Sequence, residues 1–190
     1  MAYDRKQGGH SVAQANRPDY RLEIGRAEVP VGEARGFKVL DPRRAETLTS
    51  WVATLIPARG ARPAAAGVGA AEYVDATVFL VPALRPALIQ AIDHLERSAE
   101  SELRKPFTAC NHEEREGLLR QFEAVDSSDA FNMVRDFTYE AYYGHPLVLA
   151  ALEKETGWNS SSSTQGSEMT PFDASRLERV RKLPARWRKA

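Results

Sequence analysis

The sequence predicts an all-α fold, a helical bundle of about five to six helices with extended N-terminal and C-terminal arms. Apolar residues recur at i, i+3, i+4 and i+7 in successive segments between residues 41 and 157. Helix-starting and helix-stopping residues bracket those segments. Outside them the chain is polar, charged, or broken by glycine and proline. The organisation expected is therefore an extended arm over 1–40, a bundle over 41–157, and a linker with a basic C-terminal tail over 158–190.

Residues 1–20 are polar and cannot bury a core. Leu22 and Ile24, Val29 and Val31, and Phe37 and Val39 then alternate in short runs broken by glycines and Pro30. Short extended pieces of this kind are marginal alone, so they are expected to lie on something, such as another chain. The first helix opens with Asp41 as N-cap and Pro42 at its first position, and Pro57 follows its end. Its apolar stripe is Ala45, Leu48, Trp51, Val52, Leu55 and Ile56.

After the loop "PARGARP" a second helix runs through "AAEYVDATVFLV". The third, "LRPALIQAIDHLERSAESEL", carries Leu84, Leu88, Ala91, Ile92, Leu95 and Leu103 on one stripe. The fourth starts at Asn111 with Glu114 three residues later, a capping-box spacing, and buries Leu118, Leu119 and Phe122. The fifth, "SSDAFNMVRDFTYEAYYG", is expected to be capped by Ser127 or Ser128 and stopped at Gly144. A short sixth helix begins at His145-Pro146 and ends at Gly157, before the linker "NSSSSTQGSEM".

Composition narrows the function. Lys plus Arg equals Asp plus Glu, 26 each, so net charge gives no reason to expect nucleic acid as the main partner. The single cysteine, Cys110, rules out an internal disulfide or a cysteine-based zinc cage, and reads as a buried or interfacial thiol. No apolar run reaches the length of a membrane span. The N-terminus lacks an apolar h-region, and Arg43-Arg44 precedes "AETLTSW" rather than an export stretch, so it reads as solvated helix surface. The chain is expected to be cytoplasmic, or periplasmic only if exported with a signal-bearing partner.

Several fragments imitate catalytic motifs and fail on physical grounds. "GVGAAE" at 67–72 has no strand leading into it, as dinucleotide binding requires. "HEERE" at 112–116 has glutamate where a zinc protease needs its second imidazole. His94 sits beside Asp93 and Glu96 on a polar face and reads as solvated, and His145 lies at a helix junction, where it can cap carbonyls. These residues support no catalytic, cofactor-binding or metal assignment.

Two stretches look like surfaces for a protein. "FNMVRDFTYEAYYGHPLV" places Phe131, Val134, Phe137 or Thr138, Ala141 and Tyr142 on a core face, leaving Tyr139, Tyr143 and His145 elsewhere. Tyrosines suit an interface because ring area and hydroxyl can both be used. The tail has seven Lys or Arg from residue 176 onward against one acid. Its Phe172, Arg181, Arg186, Trp187 and Arg188 are residue types that anchor interfaces.

The order of segments resembles the gluconate 2-dehydrogenase subunit 3 family over about residues 41–150. The matching landmarks are Leu55-Ile56-Pro57, Tyr73-Val74-Asp75, Lys105-Pro106-Phe107, Glu113-Glu114 and the run from Arg135 to Tyr143. Ala141 departs from the family's usual glycine, and no twin-arginine export signal stands at the start. The resemblance implies a non-catalytic small subunit in a heterodimer with a large FAD-dependent dehydrogenase of the glucose–methanol–choline type. That partner would carry the FAD and the catalytic histidines and oxidise a sugar, glucoside, sugar acid or alcohol, passing electrons to a cytochrome c. Two other readings stand beside it. One is a stand-alone helical binding or regulatory module that uses the basic tail. The other is an enzyme using His145 with Tyr142 or Tyr143 and Glu140.

Overall fold

A computed structural model describes residues 29, 31–125, 129–158, 172–178 and 182. The chain divides into two compact units, one ending at Gly157 and the other beginning at Trp158. The first unit holds helices α1 (Pro42–Leu55), α2 (Ala70–Leu80), α3 (Arg85–Leu103), α4 (His112–Val125), α5 (Asp129–Tyr143) and α6 (Pro146–Thr156). Among the described residues there is no β-strand beyond an isolated bridge between Arg59 and Arg62. The fold is all-α, as the periodicity predicts. In the second unit the described residues form a single 3-10 turn, Ala174–Leu177, where Asp173 accepts a hydrogen bond from the Ser175 N–H at 3.0 Å.

Local chemistry accounts for the helix boundaries. Asp41 caps α1 by accepting from the Arg44 N–H at 3.0 Å. The α4 capping box forms in both directions: Asn111 accepts from the Glu114 N–H at 3.0 Å, and Glu114 accepts from the Asn111 N–H at 2.8 Å. Lys105 closes on the same Glu114 oxygen at 2.7 Å. Gly157 ends α6 in the left-handed conformation, φ 71°. The serines expected to cap α5 lie outside the described residues.

The end of α5 differs from expectation. Gly144 is not among the glycines with positive φ, so a left-handed glycine does not stop this helix. Pro146 disfavours the helical conformation for the preceding residue, and His145 is extended at φ −75°, ψ 131°. Glycine is required at 144 for room. A Cβ there would lie 2.9 Å from the Glu140 carbonyl oxygen and 3.3 Å from both methyls of Val31.

The core is built around α2, the most apolar of the helices, whose residues are buried on nearly every side. It packs most extensively against α5. No single described helix is long and apolar enough to cross a membrane. The pair formed by α2 and the segment Pro82–Leu103 has that length and composition together, but is bent by 113°. Trp51 of α1, Phe122 of α4 and Phe131 of α5 form an aromatic cluster with centroid spacings of 5.8, 5.9 and 5.8 Å. His94 of α3 stacks on Phe122 at 4.7 Å, so the ring expected to be solvated is half-buried against the core. The polar face identified from Asp93 and Glu96 was real, but Phe122 reaches the imidazole from α4.

Residues 31–40 settle where the arm goes. Neither Val29 with Val31 nor Phe37 with Val39 forms a strand. Turns and bends carry the segment, and Val29, Val31, Ala34, Phe37 and Val39 pack partly buried against the bundle's own core. Asp75, fully buried inside α2, is the anchor. Its carboxylate accepts from the backbone N–H groups of Lys38, Val39 (3.1 and 3.2 Å) and Leu40 (3.0 Å). Three successive amides form an anion-binding concavity, and the carboxylate fills it. The pair formed by Leu22 and Ile24 lies outside the described residues.

A buried carboxylate and three partly or wholly buried amides each need the other, so deleting one side leaves the other unpaired. Asp75→Ala is expected to lower unfolding stability by about 3 kcal/mol. Hydrogen exchange at the Lys38, Val39 and Leu40 amides should accelerate more than exchange in α3. Denaturant unfolding and amide exchange measure the two effects separately.

Candidate partner-docking surface

The buried face of α5 is Phe131, Met133, Val134, Phe137, Thr138, Ala141 and Tyr142, which includes every residue the helical spacing assigns to the core. One turn apart on another face, Tyr139 and Tyr143 are 43% and 49% exposed, with ring centroids 6.0 Å apart and nearly perpendicular. Tyr143 also meets the edge of Tyr142 at 5.1 Å. Leu147, at the start of α6, is 64% exposed and was not singled out from the sequence.

The junction between α5 and α6 is tightly made. His145 caps α6, its Nδ1 accepting from the Leu147 N–H at 3.2 Å, while its own N–H donates to the Tyr142 carbonyl at 3.1 Å. It thus caps the following helix with its side chain, and the preceding one with its backbone. The arm closes over this point. A Cβ on Gly32, which sits at φ +80°, would lie 3.1 Å from the His145 ring. Tyr142 donates its hydroxyl to the Pro63 carbonyl at 3.0 Å, and Arg62 pairs with Glu155 of α6 at 3.1 Å. Glu140 lies against the Tyr73 phenol, whose proton is held well above the ordinary range by burial first and by the Glu140 charge second. Of the side chains that an enzyme reading would use, the His145 imidazole caps α6, the Tyr142 hydroxyl binds a loop carbonyl and Glu140 lies against Tyr73, while Tyr143 is exposed with its ring against Tyr142.

A second exposed apolar pair ends α2: Phe79, 41% exposed, and Leu80, 50% exposed. The Lys38 Nζ stands 5.1 Å from the Phe79 ring centroid and the Arg85 guanidinium carbon 5.4 Å from it. Arg85 donates to the carbonyls of Val78 at 3.3 Å and Phe79 at 2.7 Å, satisfying the helix's last acceptors. Among the described residues neither cation pairs with a carboxylate. The apolar run "TVFLV" does not by itself mark which of its residues face outward.

An open cleft of about 440 Å³ lies between α1 and α3 and is an ion-pair network. Arg44 bridges Asp41 (2.7 Å) and Asp93 (2.9 Å), and Glu96 accepts from Thr47 at 2.6 Å and Arg43 at 3.4 Å. Of the twin arginines, Arg43 is solvated helix surface as expected, whereas Arg44 ties two helices together. No group of three or more His, Cys, Asp or Glu among the described residues could hold a metal. Cys110 is buried, its Sγ 3.6 Å from the Pro106 carbonyl oxygen, and burial pushes its thiol up from 9.0.

The structure brings Tyr139, Tyr143 and His145 to one end of α5. Phe172 is exposed in the second unit, and Arg181, Arg186, Trp187 and Arg188 lie outside the described residues. The family model for gluconate 2-dehydrogenase subunit 3 matches residues 42–162, well over half of the chain. The chain belongs to the gluconate 2-dehydrogenase subunit 3 family. No curated protein and no solved structure matched it. On the subunit 3 fold, the landmarks acquire physical roles. Asp75 anchors the arm, Phe107 is core with Arg115 over its ring at 6.0 Å, and Lys105 with Glu114 closes the α4 cap.

Two outcomes follow. Cys110 should resist a thiol reagent such as Ellman's reagent at about pH 8 in the folded protein and react fully in denaturant, since burial favours the neutral thiol. Buried phenols contribute to the loss of stability at alkaline pH. Unfolded, Tyr73 loses its proton near the ordinary 10.0, whereas folded it keeps it, so its contribution is complete below that pH and declines as pH rises above it. Burial raises the Tyr142 phenol in the same direction. Urea unfolding between about pH 9 and pH 11 should show falling stability, with a shallower fall in Tyr73→Phe.

Proposed function

We propose that this chain is the non-catalytic small subunit of a FAD-dependent dehydrogenase complex. The match of residues 42–162 to gluconate 2-dehydrogenase subunit 3 carries this reading. Membership of a family of dehydrogenase subunits supports a multi-subunit complex. The flavoprotein partner of the glucose–methanol–choline type, its sugar, glucoside, sugar-acid or alcohol substrate, and a cytochrome c acceptor are the finer parts of the proposal.

The role is structural. The bundle presents Tyr139, Tyr143 and Leu147 to the large subunit, which is stabilised in proportion to the affinity of the complex. Rings held by a packed helix lose little freedom on docking, so their burial converts efficiently into affinity. The separate engagement of His145, Tyr142 and Glu140 is consistent with chemistry located in the partner.

The test is co-expression of a tagged copy with a flavoprotein of this class. A yellow complex containing both chains is expected, with the flavoprotein losing activity and solubility when expressed alone. Tyr139→Ala/Tyr143→Ala should weaken the complex by about tenfold or more while leaving the helical circular dichroism of the small subunit intact. A small subunit that purifies alone, beside a flavoprotein fully active without it, would sink the reading.

A further inference from the structure

We propose that Phe79, Leu80, Lys38 and Arg85 form a second docking point on the same partner, taking an acidic side chain set beside an apolar residue on the large dehydrogenase subunit. The inference rests on the small-subunit reading above and assigns it a charge-selective contact.

Three observations carry it. Phe79 and Leu80 are consecutive large apolar residues at the end of α2, both exposed at the surface of an otherwise buried helix. Two cations stand over the Phe79 ring, Lys38 at 5.1 Å and Arg85 at 5.4 Å, and neither meets a carboxylate among the described residues. Arg85 is held from behind, its guanidinium bound by the Val78 and Phe79 carbonyls, and the Lys38 backbone is bound by Asp75. A carboxylate entering here gains two positive charges, one of them already fixed in place, and the ring excludes water beside them. Charge complementarity thus points to an acidic partner surface.

The two docking points are close enough along the arm to share one footprint. The arm runs from Gly32, which lies against His145, to Lys38, which lies against Phe79. Six residues span at most about 21 Å. A standard interface of about 800 Å² per partner is roughly 30 Å across, so one large subunit can cover both ends of the arm. Asp75, by fixing residues 38–40, sets the spacing between the aromatic point and the cationic one.

The test uses the co-expressed flavoprotein complex and measures affinity as a function of salt. Lys38→Glu, whose side chain makes no hydrogen bond or ion pair among the described residues, is the primary variant. Lys38→Glu/Arg85→Gln and Phe79→Ser/Leu80→Ser extend it, each checked for an unchanged helical spectrum. Each is expected to weaken the complex by about tenfold or more. Raising NaCl from about 0.05 to 0.5 M should weaken the wild-type complex steeply and the Lys38→Glu complex much less. Wild-type affinity and salt dependence in Lys38→Glu would overturn the inference, as would self-association of the small subunit through Phe79 and Leu80. If those variants bind normally while Tyr139→Ala/Tyr143→Ala does not, the second docking point fails and the small-subunit reading stands. If the wild-type chain captures no flavoprotein, both fall.

Discussion

One buried carboxylate organises the surface of this protein. Asp75 lies in the middle of the most apolar helix, where an unpaired charge would be prohibitively costly. Its oxygens are satisfied by the backbone of residues 38–40, and those amides have no helix or sheet of their own to satisfy them. Each side removes the other's desolvation cost. The consequence is that a segment without regular secondary structure is held in one place, running from the end of α5 to the end of α2.

That fixed arm explains features that look unrelated in isolation. Gly144 is glycine because the Val31 methyls occupy the space a side chain would need. Gly32 adopts a positive φ against the His145 ring, which is itself engaged in capping α6. Lys38 reaches Phe79 because its own N–H is bound one turn earlier on the same helix. The arm therefore connects core packing to the exposed aromatic and cationic residues through which a partner can be recognised.

Beneath this surface the bundle is assembled from two kinds of contact with different character. The cluster of Trp51, Phe122 and Phe131 joins three helices through non-directional burial, with His94 extending it to a fourth. The pairs of Arg44 with Asp93 and of Thr47 with Glu96 then fix how α1 lies along α3, since hydrogen bonds have geometry that burial lacks. Exposed ion pairs add little energy, and their role here is register rather than stability.

The six helices, their caps at Asp41 and Asn111 and the stop at Gly157 were legible in the sequence, because periodicity and capping act over three or four residues. The core face of α5 was legible for the same reason, and so was the exposure of Tyr139 and Tyr143. Family membership was carried by the spacing of short landmarks, among them the Asp75 whose physical purpose no local pattern reveals. Tertiary structure alone decided that Val29 and residues 31–40 lie on their own chain, that His94 stacks on Phe122, and that Phe79 and Leu80 face outward. Each of these depends on what a distant segment brings to the residue. A sequence period reports which side of a helix is apolar, but the neighbour covering that side, or leaving it open beside two cations, is set only when the helices pack.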